Sequence, residues 1–444
     1  MKKIDIFDVI GIGIGPFNLG MAALLEDKKE IEAVFFDETP SFNWHPGMLI
    51  EGADLQVPFL ADLVTFADPT SRFSFINYLH KHNRLFAFYF FNRFDIPRRE
   101  YNDYAQWVAG LLTNCRFGKK VVDVLDHDEG DNSYYEVVVQ DRESNQLDHF
   151  FTRNVIVATG SKPMIPGDFD RFPSEDILHT SQYQYFEEAL SEADSILITG
   201  SGQSAAEVFL DQLQKQQRGT PHLHWITRSS GFFQLEAGKL GQEVFSADYI
   251  DYFHKLPFEK RKNELPNLAQ LRNGVEESTL HEIYDLLYHR SVHTNEPNVN
   301  IQANTEIKEI EKGSKGYIVH CHQWQQEESF TLTVDKVVLA TGYQPSTPKW
   351  MQKFDKLIKW DADGRYAVTR DYRLVFKKER PHQIFTLTNL EHSHGPGATN
   401  LALSVQRNIT IINQLTGKEV YPEQRNSVFQ NFGVDQLNQK NQWS

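Results

Sequence analysis

The segment that most constrains this chain is IDIFDVIGIGIGPFNLG, near its start. A β-rich run ends in Gly11-Ile12-Gly13-Ile14-Gly15-Pro16 and passes at once into a helical pattern, with apolar Phe17, Met21, Leu24 and Leu25 at i, i+4, i+7 and i+8. A second β-rich run, Ala33 to Phe36, then ends at Asp37. Strand, glycine turn, helix and strand make a βαβ unit with its glycines at the first turn. Glycines there let the main chain approach a pyrophosphate, and the free N–H groups and dipole of the helix favour its negative charge. Asp37, twenty-two residues beyond Gly15, is spaced to hydrogen-bond a ribose hydroxyl.

The same arrangement returns about 190 residues later. SILITGSGQSAAEVFLDQLQKQQRG reads as a strand from Ser195 to Thr199, a turn Gly200-Ser201-Gly202, and a helix that begins at Gln203 and Ser204 and stops at Gly219. HLHWITR supplies the next strand and ends at Arg228, followed by Ser229 and Ser230. A dinucleotide site usually places an acid there for the ribose; a cation suits a 2′-phosphate and favours NADPH over NADH. Two such modules imply one tightly held flavin and one exchangeable NADPH, with hydride passing between them.

NVIVATGSKP (154–163) and VVLATGYQP (337–345) are both β-branched runs ending in Ala-Thr-Gly. They flank the second module, so it reads as an insertion into the first. The expected fold is α/β with two Rossmann-like domains. Residues 1–172 and 337–444 form the flavin unit, and residues 173–336 form the NADPH unit. Residues 235–295 within the latter read as a helical substrate region, with Leu280, Ile283, Tyr284, Leu287 and Tyr288 on one face. The tail from Glu423, rich in Asn and Gln, reads as loosely held.

Composition narrows the field. With 444 residues, 40% hydrophobic and 24% charged, the chain matches a globular protein of roughly three folded units. No run approaches the ~18 apolar residues of a membrane span. The longest apolar stretch, Leu85 to Phe91, reads as packed strand core or an oligomer contact. The N-terminus does not read as a signal peptide, so a cytoplasmic protein is expected. Two distant cysteines, Cys115 and Cys321, argue against a disulfide framework, a zinc ribbon and a dithiol centre. The pairs His222/His224 and His392/His394 read as strand residues, so no metal site is expected. A net charge of −15 opposes nucleic acid as a partner.

Further segments carry a resemblance. GPFNLG, FNWHPGM (42–48), LQVPFLADLVTFADPTSRFSFINYL (55–79), PRREYNDYAQW (97–107), GSGQSAAE and DKVVLATGYQP (335–345), in this order, resemble the flavin-dependent N-hydroxylating monooxygenases of siderophore biosynthesis. That family hydroxylates lysine, ornithine and diamines, and the likeness runs from about residue 8 to about 410. It implies that NADPH reduces FAD, that O2 adds to form a C4a-hydroperoxyflavin, and that a neutral primary amine takes the distal oxygen. No nucleophilic side chain is then needed. The resemblance also implies that Trp44, His45 and Met48 lie along the flavin, that Gln56 sits near its ring, and that Gly342 belongs to the ATGY signature. By the same likeness the loop from His394 to Ser404, with Leu403, closes over the flavin, and Asn273 stands beside the nicotinamide. Tetramers occur in that family, so the resemblance implies a homo-oligomer, a dimer or tetramer.

The amine follows from one position. Relatives that use amino acids carry a lysine in LQxxFLKDL, facing the substrate carboxylate; the equivalent residue here is Ala61. A methyl group cannot neutralise a carboxylate, and an unpaired buried anion costs several kcal/mol. The change favours putrescine or cadaverine, with Glu236, Glu243 and Asp248 as candidate partners of a distal ammonium. L-lysine, L-ornithine and histamine remain open. So do a reductase passing electrons to a partner protein and a non-catalytic nucleotide binder.

Overall fold

The computed structural model describes residues 5–128, 130–216, 220–292 and 298–434. The first β-rich run forms the strand Ile6–Ile12, with Val9 and Ile10 fully buried. It lies inside a seven-stranded sheet, paired in parallel with Ala33–Phe36 on one side and Leu147–Val157 on the other. Burial on both faces is what an unbroken apolar run provides, as in other parallel strands. The helix Pro16–Leu25 packs under this sheet; every residue except Phe17 is buried. Proline suits its first turn, because the N–H it lacks would have no partner there. Tyr134–Asp141 and Lys119–His127 extend the sheet antiparallel, and Gln383–Thr386 pairs beside Leu147–Val157.

The second module forms its own five-stranded parallel sheet, in the order Ile177–His179, Lys336–Leu339, Ser195–Thr199, His222–Ile226, Val299–Gln302. Ile196, Leu197 and Ile198 are fully buried at its centre. The helix after its turn runs Gln203–Lys215, ending before the expected stop; Gly219 lies outside the described residues. A three-stranded antiparallel sheet, Thr305–Lys312, Tyr317–Gln323 and Glu328–Val334, covers one face.

The expected return to the first unit at residue 337 is shifted. Lys336–Leu339 hydrogen-bonds between two strands of the second sheet, so it belongs there. The crossing back runs through Tyr343–Pro345, which pairs with Ser161–Pro163. Leu85–Phe91 is a helix, not a strand, because successive aromatics need not alternate between two faces when one face is bare. Within 235–292 the expected helices form over Ala247–Lys255, Phe258–Glu264 and Glu277–Ser291, and residues 293–295 lie outside the described residues. On the last helix Ile283 is buried, with Leu280 and Leu287 packed beside the same core, while Tyr284 and Tyr288 face solvent. His392 and His394 sit in a helical turn, Glu391–His394, not a strand. The tail is anchored over its described part: Asp248 accepts from the Asn426 and Ser427 N–H groups, and Glu243 from Phe429 and Gln430.

Candidate functional site

Each glycine turn is built against an Ala-Thr-Gly loop. Gly13 has φ +88°, and a Cβ there would stand 2.5 Å from the Ala158 carbonyl oxygen. Gly200 has φ +134°, and its Cβ would overlap the Ala340 carbonyl. Only glycine fits either position. The turns are also pinned: Asn18 Nδ2 donates to Gly13 O at 2.9 Å, and Trp225 Nε1 donates to Gly200 O at 2.8 Å.

Gly15 and Gly202 differ. Both are extended, with φ −80° and −93°, and a Cβ on either would meet nothing within 4 Å. That open space, with a helix N-terminus directly behind it, fits a pyrophosphate. Asp37 is carried to the first turn, where its Oδ2 accepts from the Ile14 N–H at 2.7 Å. The carboxylate therefore stands where a ribose beside that turn would meet it.

The second turn opens into a cleft of ≈ 760 Å³. Gly200, Gly202, Gln203, Ser204, Arg228, Ser229, Asn273 and Gly342 all line it, so folding gathers residues from four distant segments. Ser229 and Ser201 share a hydrogen bond of 3.0 Å, and the Arg228 carbonyl accepts from Trp324 Nε1 at 2.8 Å. Among the described residues no carboxylate pairs with the Arg228 guanidinium, which stays exposed at the cleft edge.

A line of aromatic rings joins the two units. Trp44 meets Tyr101 edge-on at 5.1 Å and His45 at 4.8 Å; His45 meets Tyr343 at 5.8 Å, and Tyr343 meets His179 at 5.0 Å. His45 is left-handed, φ +49°. It is open on one side, yet enough protein surrounds it that loss of water, helped by the Arg98 charge, pulls its imidazole down to about 4. It is neutral at pH 7. Gly47 follows because a Cβ there would overlap the Ser181 carbonyl of the second unit.

That close approach buries Met48, which is 3% exposed and packs with Leu178 and Tyr183 rather than lining an open site. His394 is likewise withdrawn: it is 1% exposed, stacked on Tyr372 at 4.3 Å, with its ring nitrogens near Ser393 Oγ and the Arg370 carbonyl. Leu403 is buried against Gly397. Gln56 is exposed on the strand Asp54–Pro58, whereas Ala61 is buried just beyond it. Asp62, next to Ala61, stiffens the turn by accepting from the N–H groups of Val64, Thr65 and Phe75. Glu243 and Asp248 are occupied by the tail, so they do not await an ammonium. Glu236 is exposed, accepts from the Gly238 N–H at 2.6 Å with one carboxylate oxygen, and stands on the segment that pairs with residues 270–275, which carry Asn273.

The arginines of PRREYNDYAQW carry no chemical signal in the sequence, yet one is central. Arg98 grips Glu207 with two hydrogen bonds, 2.7 and 2.9 Å, and donates to the Met48 carbonyl at 2.9 Å. Gln203 Nε2 donates to Glu207 and to Thr279 Oγ1, both at 3.1 Å, and its Oε1 accepts from the Glu276 N–H. One buried ion pair thus ties the FNWHPGM segment, the second-turn helix and the segment after Asn273. Burial, then the charge of Glu207, pushes the Glu276 carboxyl up to about 7.

The chain is 37% identical over 436 residues to the rhizobactin siderophore biosynthesis protein RhbE of Rhizobium meliloti, covering 96% of this chain and 95% of that one. It is 38% identical to a putrescine N-hydroxylase of Shewanella oneidensis, over 97% of this chain and 85% of the relative. The crystal structure of DfoA bound to FAD, the cadaverine monooxygenase of Erwinia amylovora, superposes with a TM-score of 0.90 at 36% identity, covering 97% of this chain and 99% of DfoA. Residues 5–345 match the family model described as L-lysine 6-monooxygenase/L-ornithine 5-monooxygenase. This chain belongs to that family of flavin-dependent N-monooxygenases.

Proposed function

We propose that this chain hydroxylates one nitrogen of a short aliphatic diamine, putrescine or cadaverine, for siderophore biosynthesis, using FAD, NADPH and O2. The balance is amine, O2, NADPH and a proton giving hydroxylamine, water and NADP+. FAD, when bound and reduced, supplies the electrons that activate O2 for transfer to nitrogen. The first turn holds FAD through Gly13, Gly15 and Asp37, and the second holds NADPH through Gly202, Ser204, Arg228 and Ser229.

Residues 1–172 and those beyond the crossing at Tyr343 serve as the FAD unit, the inserted sheet as the NADPH unit. In this reading Trp44, His45 and Gln56 serve the flavin side, and Asn273, in the lining of the second cleft, serves the nicotinamide. The amine must arrive without its proton, from a free value near 10.4, so its surroundings must exclude water. Glu236 is the carboxylate assigned to the distal ammonium. In this reading the enzyme is cytoplasmic and a homo-oligomer; among the described residues no helix is long and apolar enough to cross a membrane.

Ala61 carries the choice of amine. It is buried and uncharged at the position where amino-acid-using relatives hold a lysine, so a substrate carboxylate would find no cation there. The names of the Shewanella and Erwinia relatives, putrescine and cadaverine enzymes, support the same choice. The test is a panel of putrescine, cadaverine, L-lysine, L-ornithine and histamine, scored together for NADPH consumption and hydroxylamine formed. Hydroxylamine from the short diamines is expected, and Ala61→Lys should depress it. Diamines yielding only hydrogen peroxide, or turned over equally well by Ala61→Lys, would overturn the assignment.

A further inference from the structure

Arg407, on the helix Leu401–Thr416, is 1% exposed, and among the described residues no carboxylate pairs with it. Its two terminal nitrogens donate to the carbonyls of Leu387 at 3.2 Å and Ala398 at 2.7 Å. The guanidinium lies over the rings of Phe17 at 4.8 Å and Tyr372 at 5.3 Å, and its Nε has no hydrogen-bond partner. These partners are all neutral. Arg98 and Arg380, also largely buried, hold Glu207 and Asp126 instead. A buried ion without a counter-charge is among the costliest arrangements a fold can keep.

The charge stands at a particular place. Phe17 is the second residue of the helix behind the first glycine turn, and Asn408 Nδ2 donates to its carbonyl at 3.0 Å. Leu387 follows the strand Gln383–Thr386, and its N–H donates at 2.8 Å to Val157, the residue before the Ala158 that closes on Gly13. Ala398 belongs to the loop from His394 to Ser404. The guanidinium is thus anchored at the carboxyl ends of the parallel strands, where open α/β sheets hold their ligands. Tyr372 is kept left-handed beside it, φ +70°, a conformation that bulky residues adopt only where their surroundings enforce it.

We propose that Arg407 is a positioning residue for FAD: the counter-charge that the chain lacks is the cofactor's. FAD brings the negative charge of its phosphates to the first turn. Hydride transfer then adds one more, since FAD and NADPH give FADH− and NADP+ with no proton taken up. A buried cation that no carboxylate offsets holds the cofactor more tightly once it is reduced. The inference rests on the FAD half of the function proposed above and is independent of which amine is used.

The test uses full-length, FAD-loaded protein. Release of FAD on dilution, read as recovered flavin fluorescence, gives its Kd, and equilibration with a reference dye gives the midpoint potential. Arg407→Met should raise the Kd about tenfold or more. It should also weaken the reduced form about tenfold relative to the oxidised one, a fall of about 30 mV for a two-electron couple. Arg407→Lys keeps the charge and loses the fork, so its potential should stay at the wild-type value. Arg407→Gln, which retains a donor for the Ala398 carbonyl, replaces the methionine variant if that one does not fold. A merely structural arginine would lower the Tm of every variant and leave the potential unmoved. That result would overturn the proposal, as would an unchanged Kd in the neutral variants, or an equal fall in potential with Arg407→Lys. Neutral variants that fail to fold even in excess FAD would also overturn it. A wild type that takes up no FAD would instead defeat the cofactor reading itself.

Discussion

The carbonyl oxygen of Ala340 fills the space that a Cβ on Gly200 would need, and Ala158 does the same to Gly13 in the other module. The paired Ala-Thr-Gly segments recur because each closes the strand beside a glycine turn and props that turn open.

Substitution should therefore separate the two kinds of glycine. Gly200→Ala forces main chain apart at a φ that L residues avoid, and it is expected to abolish folding of the second unit or cost several kcal/mol in Tm-derived stability. Gly202→Ala meets no protein atom, so its Tm should match wild type while the KM for NADPH rises at least tenfold. Thermal melts and steady-state kinetics on the two proteins decide this.

Arg98 and Glu207 form a buried pair, with side chains 13% and 5% exposed. Removing one partner strands the other charge, at about 3–5 kcal/mol. Glu207→Ala should show that loss in urea unfolding. Glu207→Gln keeps the shape and should fold, but NADPH-driven flavin reduction should slow more than reoxidation by O2, because the tie between the two units is loosened.

Arg228→Ala should erase much of the preference for NADPH over NADH. A charge-assisted hydrogen bond contributes about 1.5–3 kcal/mol, or roughly 10- to 100-fold in the ratio of kcat/KM values. An unchanged ratio would move the 2′-phosphate elsewhere.

Glu276 sets a pH dependence. Its carboxyl rises from 4.5 to about 7 in the fold, so between those values the native chain holds a proton that the unfolded chain has released. Stability must fall as pH rises through that window. Partial exposure screens the effect to on the order of 1 kcal/mol. Comparing wild type with Glu276→Gln in urea at about pH 5 and about pH 8 should show a flatter response in the variant.

Local sequence determined the βαβ units, because a strand, a glycine turn and a helix follow one another within thirty-odd residues and each has a near-neighbour signature. The Asp37 and Arg228 positions were legible for the same reason. Tertiary structure decided what depends on partners far along the chain. Arg98 meets Glu207 across 109 positions. Met48 and His394 are drawn into cores, Asp248 is taken by the tail, and Lys336–Leu339 joins the second sheet. The aromatic run became a bare helix because no other segment of the described chain covers it. Spacing records which residues share a local face; burial and charge pairing are set only when distant segments compete for the same space.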